Sequence, residues 1–222
     1  MSKVMQKKIK FLKKPFEYIL IENLLNKSFL KKLNLELTTI EKKLTKKVMS
    51  GRYRIRNTDY NFNLLIKKKS KCYEFYKYLK DKKTYKKFSK YFSRIHFKKT
   101  NEELKKEKKW FYFDYSVSKK GYYREPHRDS DKRLLITIYA INDHPNSELY
   151  FYTYKNNDKL KKYNVRRPSP NRLKLIKKIN LRKNQLIIFP NVDSLFHSVK
   201  KYKSSKKRYF CYGSYTLGEK RN

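Results

Sequence analysis

Three donor-bearing residues and one cation carry the chemistry open to this sequence. His127 and Asp129 flank Arg128, His197 closes the apolar run LIIFPNVDSLFH, and Arg208 opens the next such run, RYFCYGSYT. Side chains alternate along an extended segment, so His127 and Asp129 project to one side while Arg128 points outward. A second imidazole delivered by a distant strand then completes a set of two nitrogens and one carboxylate. That set suits a non-haem ferrous ion gripped on one face, with its remaining coordination positions open. Asp131 shares the parity of Asp129 but lies two positions farther from His127, and Glu125 is a rival on the other side. With four histidines in the chain, satisfied structural histidines are the competing reading. His96 and His144, in a helical tail and a turn, are given no role.

The elements that would position these residues follow from hydrophobic period. Phe16 to Ile21 reads as a strand, and Asn26 or Ser28 can cap a helix with Phe29, Leu30, Leu33 and Leu37 on one face. Arg52 to Arg56 alternates as an edge strand. Ser70 to Ile95 holds two helical stripes, Cys72, Phe75, Tyr76 and Leu79, then Tyr85, Phe88, Phe92 and Ile95, which read as core faces buttressing a sheet. Lys98 to Lys109 is a polar connector. The period then turns strand-like, over Trp110 to Val117, Leu134 to Ile141, Leu149 to Tyr154, Leu173 to Ile179, Leu186 to Phe189, Leu195 to Val199 and Arg208 to Thr216. The fold expected is α+β with a mainly β core, a cupin-like double-stranded β-helix or jelly roll buttressed by N-terminal helices. It forms a single domain over 1–222, with the supporting strand and helices in 1–109 and the metal-bearing core in 110–222. The polar stretch Lys155 to Arg172, containing Arg166-Arg167, reads as a lid or binding loop, or as an insertion that is merely tolerated.

At this point the chain resembles the Fe(II)/2-oxoglutarate-dependent oxygenases, in their prolyl 4-hydroxylase-like branch. The stretch FYFDYSVSKKGYYREPHRDSDKRLLITIYAIND is similar to that family's strand, loop, His-x-Asp and core strand. LRKNQLIIFPNVDSLFHSVKKYKSSKKRYFCYGSYT is similar to its Phe-Pro strand, distal histidine and last strand, and KKPFEYILIENLLNKSFLKKL to its first strand and helix. The chain departs from the pattern at Asn146-Ser147-Glu148-Leu149, where members often carry Gly-Gly-Glu-Leu, and at Ser204-Ser205 and Tyr215. The resemblance implies His127, Asp129 and His197 as catalytic metal ligands. It also implies Fe(II), O₂ and 2-oxoglutarate, with ascorbate as an optional addition, and Arg208 on the distal carboxylate of the cosubstrate. Lys207, on the opposite strand face, is the fallback, since a guanidinium fork matches a carboxylate better than a point charge does. Tyr115 is a candidate hydroxyl donor to the same carboxylate, with core packing as its other reading. The reaction implied is hydroxylation of an unactivated C–H bond, on a peptidyl, prolyl-type side chain, with release of succinate and CO₂.

Composition bounds the partners. Sixty Lys+Arg against 19 Asp+Glu give a formal net charge of +41, enough to attract polyanions. Lys, Asn, Ile, Phe and Tyr are also the residues of A+T-rich codons, so drift and selection for an anionic partner both stay open. Hence a second reading keeps the oxygenase and gives it a nucleic acid or other anion, and a third is a non-enzymatic basic nucleic-acid-binding module. Peptide, protein and small-molecule substrates all remain candidates. Hydrophobic content of 38% and aromatic content of 16% exclude a disordered chain, and two cysteines exclude a disulfide scaffold. With no apolar run long enough for a signal peptide or a membrane span, a cytoplasmic protein with no membrane partner is expected.

Overall fold

The computed structural model describes residues 8–44, 47–49, 51–92, 111–143, 148–156 and 165–216. The expectations for Trp110, His96, His144, the 98–109 connector and the middle of the 155–172 loop fall outside them. Twelve strands and four helices follow in the order β1 (Lys8–Leu12), β2 (Tyr18–Glu22), α1 (Lys27–Glu41), β3 (Lys47–Met49), β4 (Arg52–Arg56), α2 (Phe62–Leu65), α3 (Lys71–Lys80) and α4 (Lys82–Ser89). The second half holds β5 (Phe111–Ser118), β6 (Arg124–His127), β7 (Arg133–Ala140), β8 (Glu148–Tyr154), a 3-10 turn (Pro170–Arg172), β9 (Leu173–Asn180), β10 (Gln185–Pro190), β11 (Phe196–Val199) and β12 (Arg208–Thr216).

The strands form two sheets, ordered β1-β2-β10-β7-β12-β5-β4-β3 and β6-β11-β8-β9. From β5 onward the chain passes back and forth between them, placing β5, β7, β10 and β12 in one and β6, β8, β9 and β11 in the other. This is the connectivity of a double-sheet jelly roll. β1 to β4 extend its larger sheet on both sides.

Alternation along the strands divides the interior into two cores. On β5, Phe111, Phe113, Tyr115 and Val117 face the helices; on β12, Tyr209, Cys211 and Tyr215 do the same. The opposite faces, with Ile136, Ile138, Ile187, Phe189 and Phe210, meet Leu149, Phe151 and Ile179 of the smaller sheet. Each such side chain contributes about 1.5–3 kcal/mol when fully buried, so both sheet faces are tightly specified.

The helices are placed by caps as much as by apolar stripes. Asn26 Oδ1 accepts from Phe29 N at 2.8 Å, starting α1, whose Phe29, Leu30, Leu33, Leu37 and Ile40 are buried. Glu36 of α1 accepts from the backbone N–H groups of Lys71 and Cys72, both at 2.9 Å, and so fixes α1 against the N-terminus of α3. Gly51, with φ +70°, makes the turn into β4; a Cβ there would lie 2.7 Å from Tyr122 N, so the close approach of the two segments requires glycine. Among the described residues, no helix is long and apolar enough to cross a membrane.

Candidate metal and cosubstrate site

β6 and β11 are neighbours in the smaller sheet, and His127 stands directly opposite His197 in their register. Their ring centroids lie 4.3 Å apart. Asp129 follows two residues after the end of β6, in a loop stitched by Asn191. That side chain accepts from Asp129 N at 3.2 Å and donates to the carbonyls of Ser130 at 2.9 Å and Arg133 at 3.0 Å. One ligand atom from each of His127, Asp129 and His197 falls within 4.8 Å of the other two, and Asp129 Oδ2 is 3.7 Å from His197 Nε2.

The protonation states suit a divalent metal. Burial, the neighbouring His197 and Arg124 together push the His127 pKa down to about 3, and burial lowers that of His197 as well, so both rings are neutral near pH 7. His127 Nδ1 lies 2.8 Å from the carbonyl of Glu125, which can only accept, so the proton sits on Nδ1 and the lone pair on Nε2. Arg124 Nε donates to that Nε2 at 3.3 Å, a contact a metal would displace. Burial would raise the Asp129 pKa. His197, Arg133, His127 and a 2.9 Å hydrogen bond from the Tyr212 hydroxyl outweigh it and keep the carboxyl ionised. Two neutral imidazoles and one carboxylate are the donors a ferrous ion takes.

The site opens into a cavity of about 370 Å³. Arg208 lines it from β12, only 2% exposed, and none of the ion pairs among the described residues includes it. Its Nε–H has no acceptor there, and burial pulls its pKa down to about 10, so it remains charged near pH 7. A buried cation without a counter-ion is costly unless a ligand supplies one. A carboxylate bound in the cavity would supply that counter-ion. Lys207, the fallback, is exposed and pairs with Glu41 at 2.9 Å on the outside of the sheet.

Other expectations are corrected. Tyr115 does not reach the cosubstrate region: its parity on β5 sends it to the helix side, where its hydroxyl donates to the carbonyl of Cys72 at 2.6 Å. Arg128 does not project into solvent. It is 2% exposed and pairs with Asp131 and with Asp193 at 3.4 Å, while its backbone N–H donates to the carbonyl of Arg166. Asp131 is thereby engaged on the far side of the loop, and Glu125 contributes only its carbonyl.

Sequence reasoning missed the cavity's other polar residues. Tyr212 and Arg133 bracket Asp129, and their side chains also bond to each other. Arg52, Arg54 and Arg56 line the cavity from β4, joined by Arg124 and by Arg166 of the 155–172 loop. Asp114, wholly buried on β5, pairs with Arg52 at 3.0 Å and more distantly with Arg54 at 3.8 Å. The alternation Arg-Tyr-Arg-Ile-Arg was a usable signal, since it puts three arginines on one strand face.

No family model and no curated protein matches the chain. Among solved structures it is similar to a prolyl-4-hydroxylase of Pseudomonas putida, at 10% identity and a TM-score of 0.56, over 91% of this chain and 93% of that one. It is also similar to a prolyl hydroxylase of Trichoplax adhaerens solved with a peptide fragment of hypoxia inducible factor, at 15% identity and a TM-score of 0.52, covering 90% and 83%. A third is a 2OG-Fe(II) oxygenase family protein of Burkholderia pseudomallei, at 8% identity and 0.52, covering 90% and 84%. At such identities the likeness is one of architecture: this chain has the fold of the 2-oxoglutarate-Fe(II) oxygenases.

Proposed function

We propose that the chain is an Fe(II)- and 2-oxoglutarate-dependent oxygenase that hydroxylates an unactivated C–H bond. The observation that carries this reading is the meeting, in one cavity, of the His127-Asp129-His197 donor set and a buried Arg208 that has no ion-pair partner among the described residues. A structural histidine pair would need no such cation, and a binding module would need neither.

When bound, a ferrous ion with 2-oxoglutarate and O₂ supplies the oxidation, with release of succinate and CO₂. The chain's own residues do the rest. Glu125 fixes the His127 tautomer through its carbonyl, and Tyr212 and Arg133 hold Asp129 ionised and oriented. Arg208 offers its guanidinium fork to the distal carboxylate of the cosubstrate. Phe189, edge-on to His197 at 5.3 Å, packs apolar surface against that ring.

The sequence left two substrate classes open. A prolyl side chain is supported by the likeness to prolyl hydroxylases; an anionic substrate is supported by the arginines lining the cavity, and this second reading is the one the residues favour. Anaerobic titration with Fe(II), then 2-oxoglutarate, then assay of succinate after O₂ admission tests the reaction class. The expected result is loss of iron binding in His127→Ala, and retained iron binding with at least a roughly tenfold higher KM for 2-oxoglutarate in Arg208→Gln. Equal iron binding by wild type and His127→Ala overturns it.

A further inference from the structure

The cavity holds more positive charge than the proposed reaction uses. Seven arginines line it against two aspartates. A divalent metal and a doubly charged keto diacid cancel each other, so loading the site leaves that surplus in place. Arg208 is assigned to the cosubstrate, Arg133 braces Asp129, and Arg124 touches His127. Arg52 is committed through Nε and one terminal nitrogen, which bond Asp114 at 3.0 and 3.2 Å and the Ser116 hydroxyl at 2.9 and 3.0 Å.

Arg54 and Arg56 are different. Arg54 approaches Asp114 only at 3.8 Å, an oxygen Arg52 already holds, and Arg56 lies over the Tyr112 ring at 5.4 Å. The Nε–H groups of both are buried with no acceptor among the described residues. A buried unsatisfied donor costs about 1–3 kcal/mol, and both side chains also line the cavity, where an anion would supply the acceptors this strand face lacks. Alternation puts both side chains on the cavity side of β4, about 6.7 Å apart along the strand. Resting on the oxygenase reading for its metal and cosubstrate, we propose that the primary substrate carries a phosphate group, which Arg54 and Arg56 bind while its oxidisable carbon faces His127 and His197. Two guanidinium forks side by side present their N–H donors from different directions, which the tetrahedrally arranged oxygens of a phosphate meet better than the two coplanar oxygens of a carboxylate. The overall charge of +41 favours the same class of ligand by raising its local concentration.

The test titrates the full chain, loaded anaerobically with Fe(II) and 2-oxoglutarate, with glycerol phosphate, a single-stranded oligonucleotide and a neutral proline-rich peptide. Glycerol phosphate is expected to bind, about tenfold or more weakly in Arg54→Gln and in Arg56→Gln. Arg54→Lys, which keeps the charge and loses the fork, falls between, and Lys174→Gln on the exposed face of β9 leaves the affinity unchanged. Oligonucleotide affinity that falls in parallel identifies a strand as the source of the phosphate; oligonucleotide affinity unmoved by the same variants identifies a small phosphate ester. Glycerol phosphate binding that ignores both glutamine variants, or saturable binding of the neutral peptide alone, overturns the proposal. Failure to take up Fe(II) and 2-oxoglutarate strikes the oxygenase reading instead, and the same titration on the metal-free chain still decides the arginine site.

Discussion

At the scale of single residues, the donor set was legible because its spacing is short: parity alone ties His127 to Asp129, and an apolar run ends on His197. The residues that hold the donors in place were not legible. Tyr115 and Tyr212 are two of 21 tyrosines, and only pairing of β12 with β7 and β5 shows that Tyr212 faces Asp129 while Tyr115 faces α3. Tyr212 donates to Asp129 at 2.9 Å, and that carboxylate presses the phenol pKa upward beyond what burial already does. It is thus locked as a neutral donor that fixes the orientation of the Asp129 carboxylate. Tyr212→Phe removes the donor and keeps the ring. Iron affinity is expected to fall roughly 10- to 100-fold, with the thermal stability of the metal-free protein little changed. An unaltered iron titration would remove Tyr212 from the positioning role.

At the scale of elements, the strands of the jelly roll announced themselves through period-two apolar patterns, and β5, β7, β8, β9, β10, β11 and β12 fall where alternation put them, within a residue or two. β6, Arg-Glu-Pro-His, carries almost no apolar signal; it is a strand because β11 offers it a ladder. β1 was likewise invisible, since Lys8 and Lys10 alternate with apolar residues whose burial depends on β2. The attachment of the N-terminal half rests on two polar clasps. Asn184, at φ 65°, accepts from Leu25 N at 2.9 Å and from the Tyr139 hydroxyl at 2.8 Å, and donates to Leu25 O at 2.7 Å. Asn184→Ala strands those buried groups and adds backbone strain, so unfolding in urea is expected to show a loss of about 3 kcal/mol. The second clasp is Glu41, at the end of α1. Burial would raise its pKa, but the Tyr209 hydroxyl at 2.7 Å and the ammonium groups of Lys207 and Lys119 outweigh that and hold it below the ordinary glutamate value. A depressed folded pKa stabilises above the unfolded value near 4.5 and loses that contribution as pH falls through the folded value. Glu41→Gln is therefore expected to melt below wild type at pH 7, with the two curves converging as pH falls through the depressed folded value. A gap that persists in acid would assign the effect to packing.

At the scale of the whole molecule, sequence gave the sign of the charge but not its address. Composition could not separate codon drift from selection, because both leave the same count of lysines and arginines. The structure separates lysines on exposed faces, such as Lys174 and Lys178 of β9, from arginines gathered in one cavity. Guanidinium and ammonium are not equivalent there: an ammonium would lack the planar donors that Arg52 turns on Asp114. The surface charge has its own thermodynamic consequence. At +41 the folded chain repels itself, and the repulsion between exposed charges acts over a screening length of about 10 Å at 0.1 M salt but only about 3 Å at 1 M. The unfolded chain spreads the same charges over a larger volume and gains less from screening. The melting temperature of the metal-free protein is therefore expected to rise as sodium chloride increases from about 0.01 to 1 M, against the trend for a fold held by surface ion pairs. The cavity should respond in the opposite sense, since the same salt competes for Arg54 and Arg56 and releases a phosphate ligand. Stability rising with salt while phosphate affinity falls would separate the diffuse surface field from the localised site. A melting temperature that drops over this range would show that attractive ion pairs, such as Glu41 with Lys207, outweigh the repulsion.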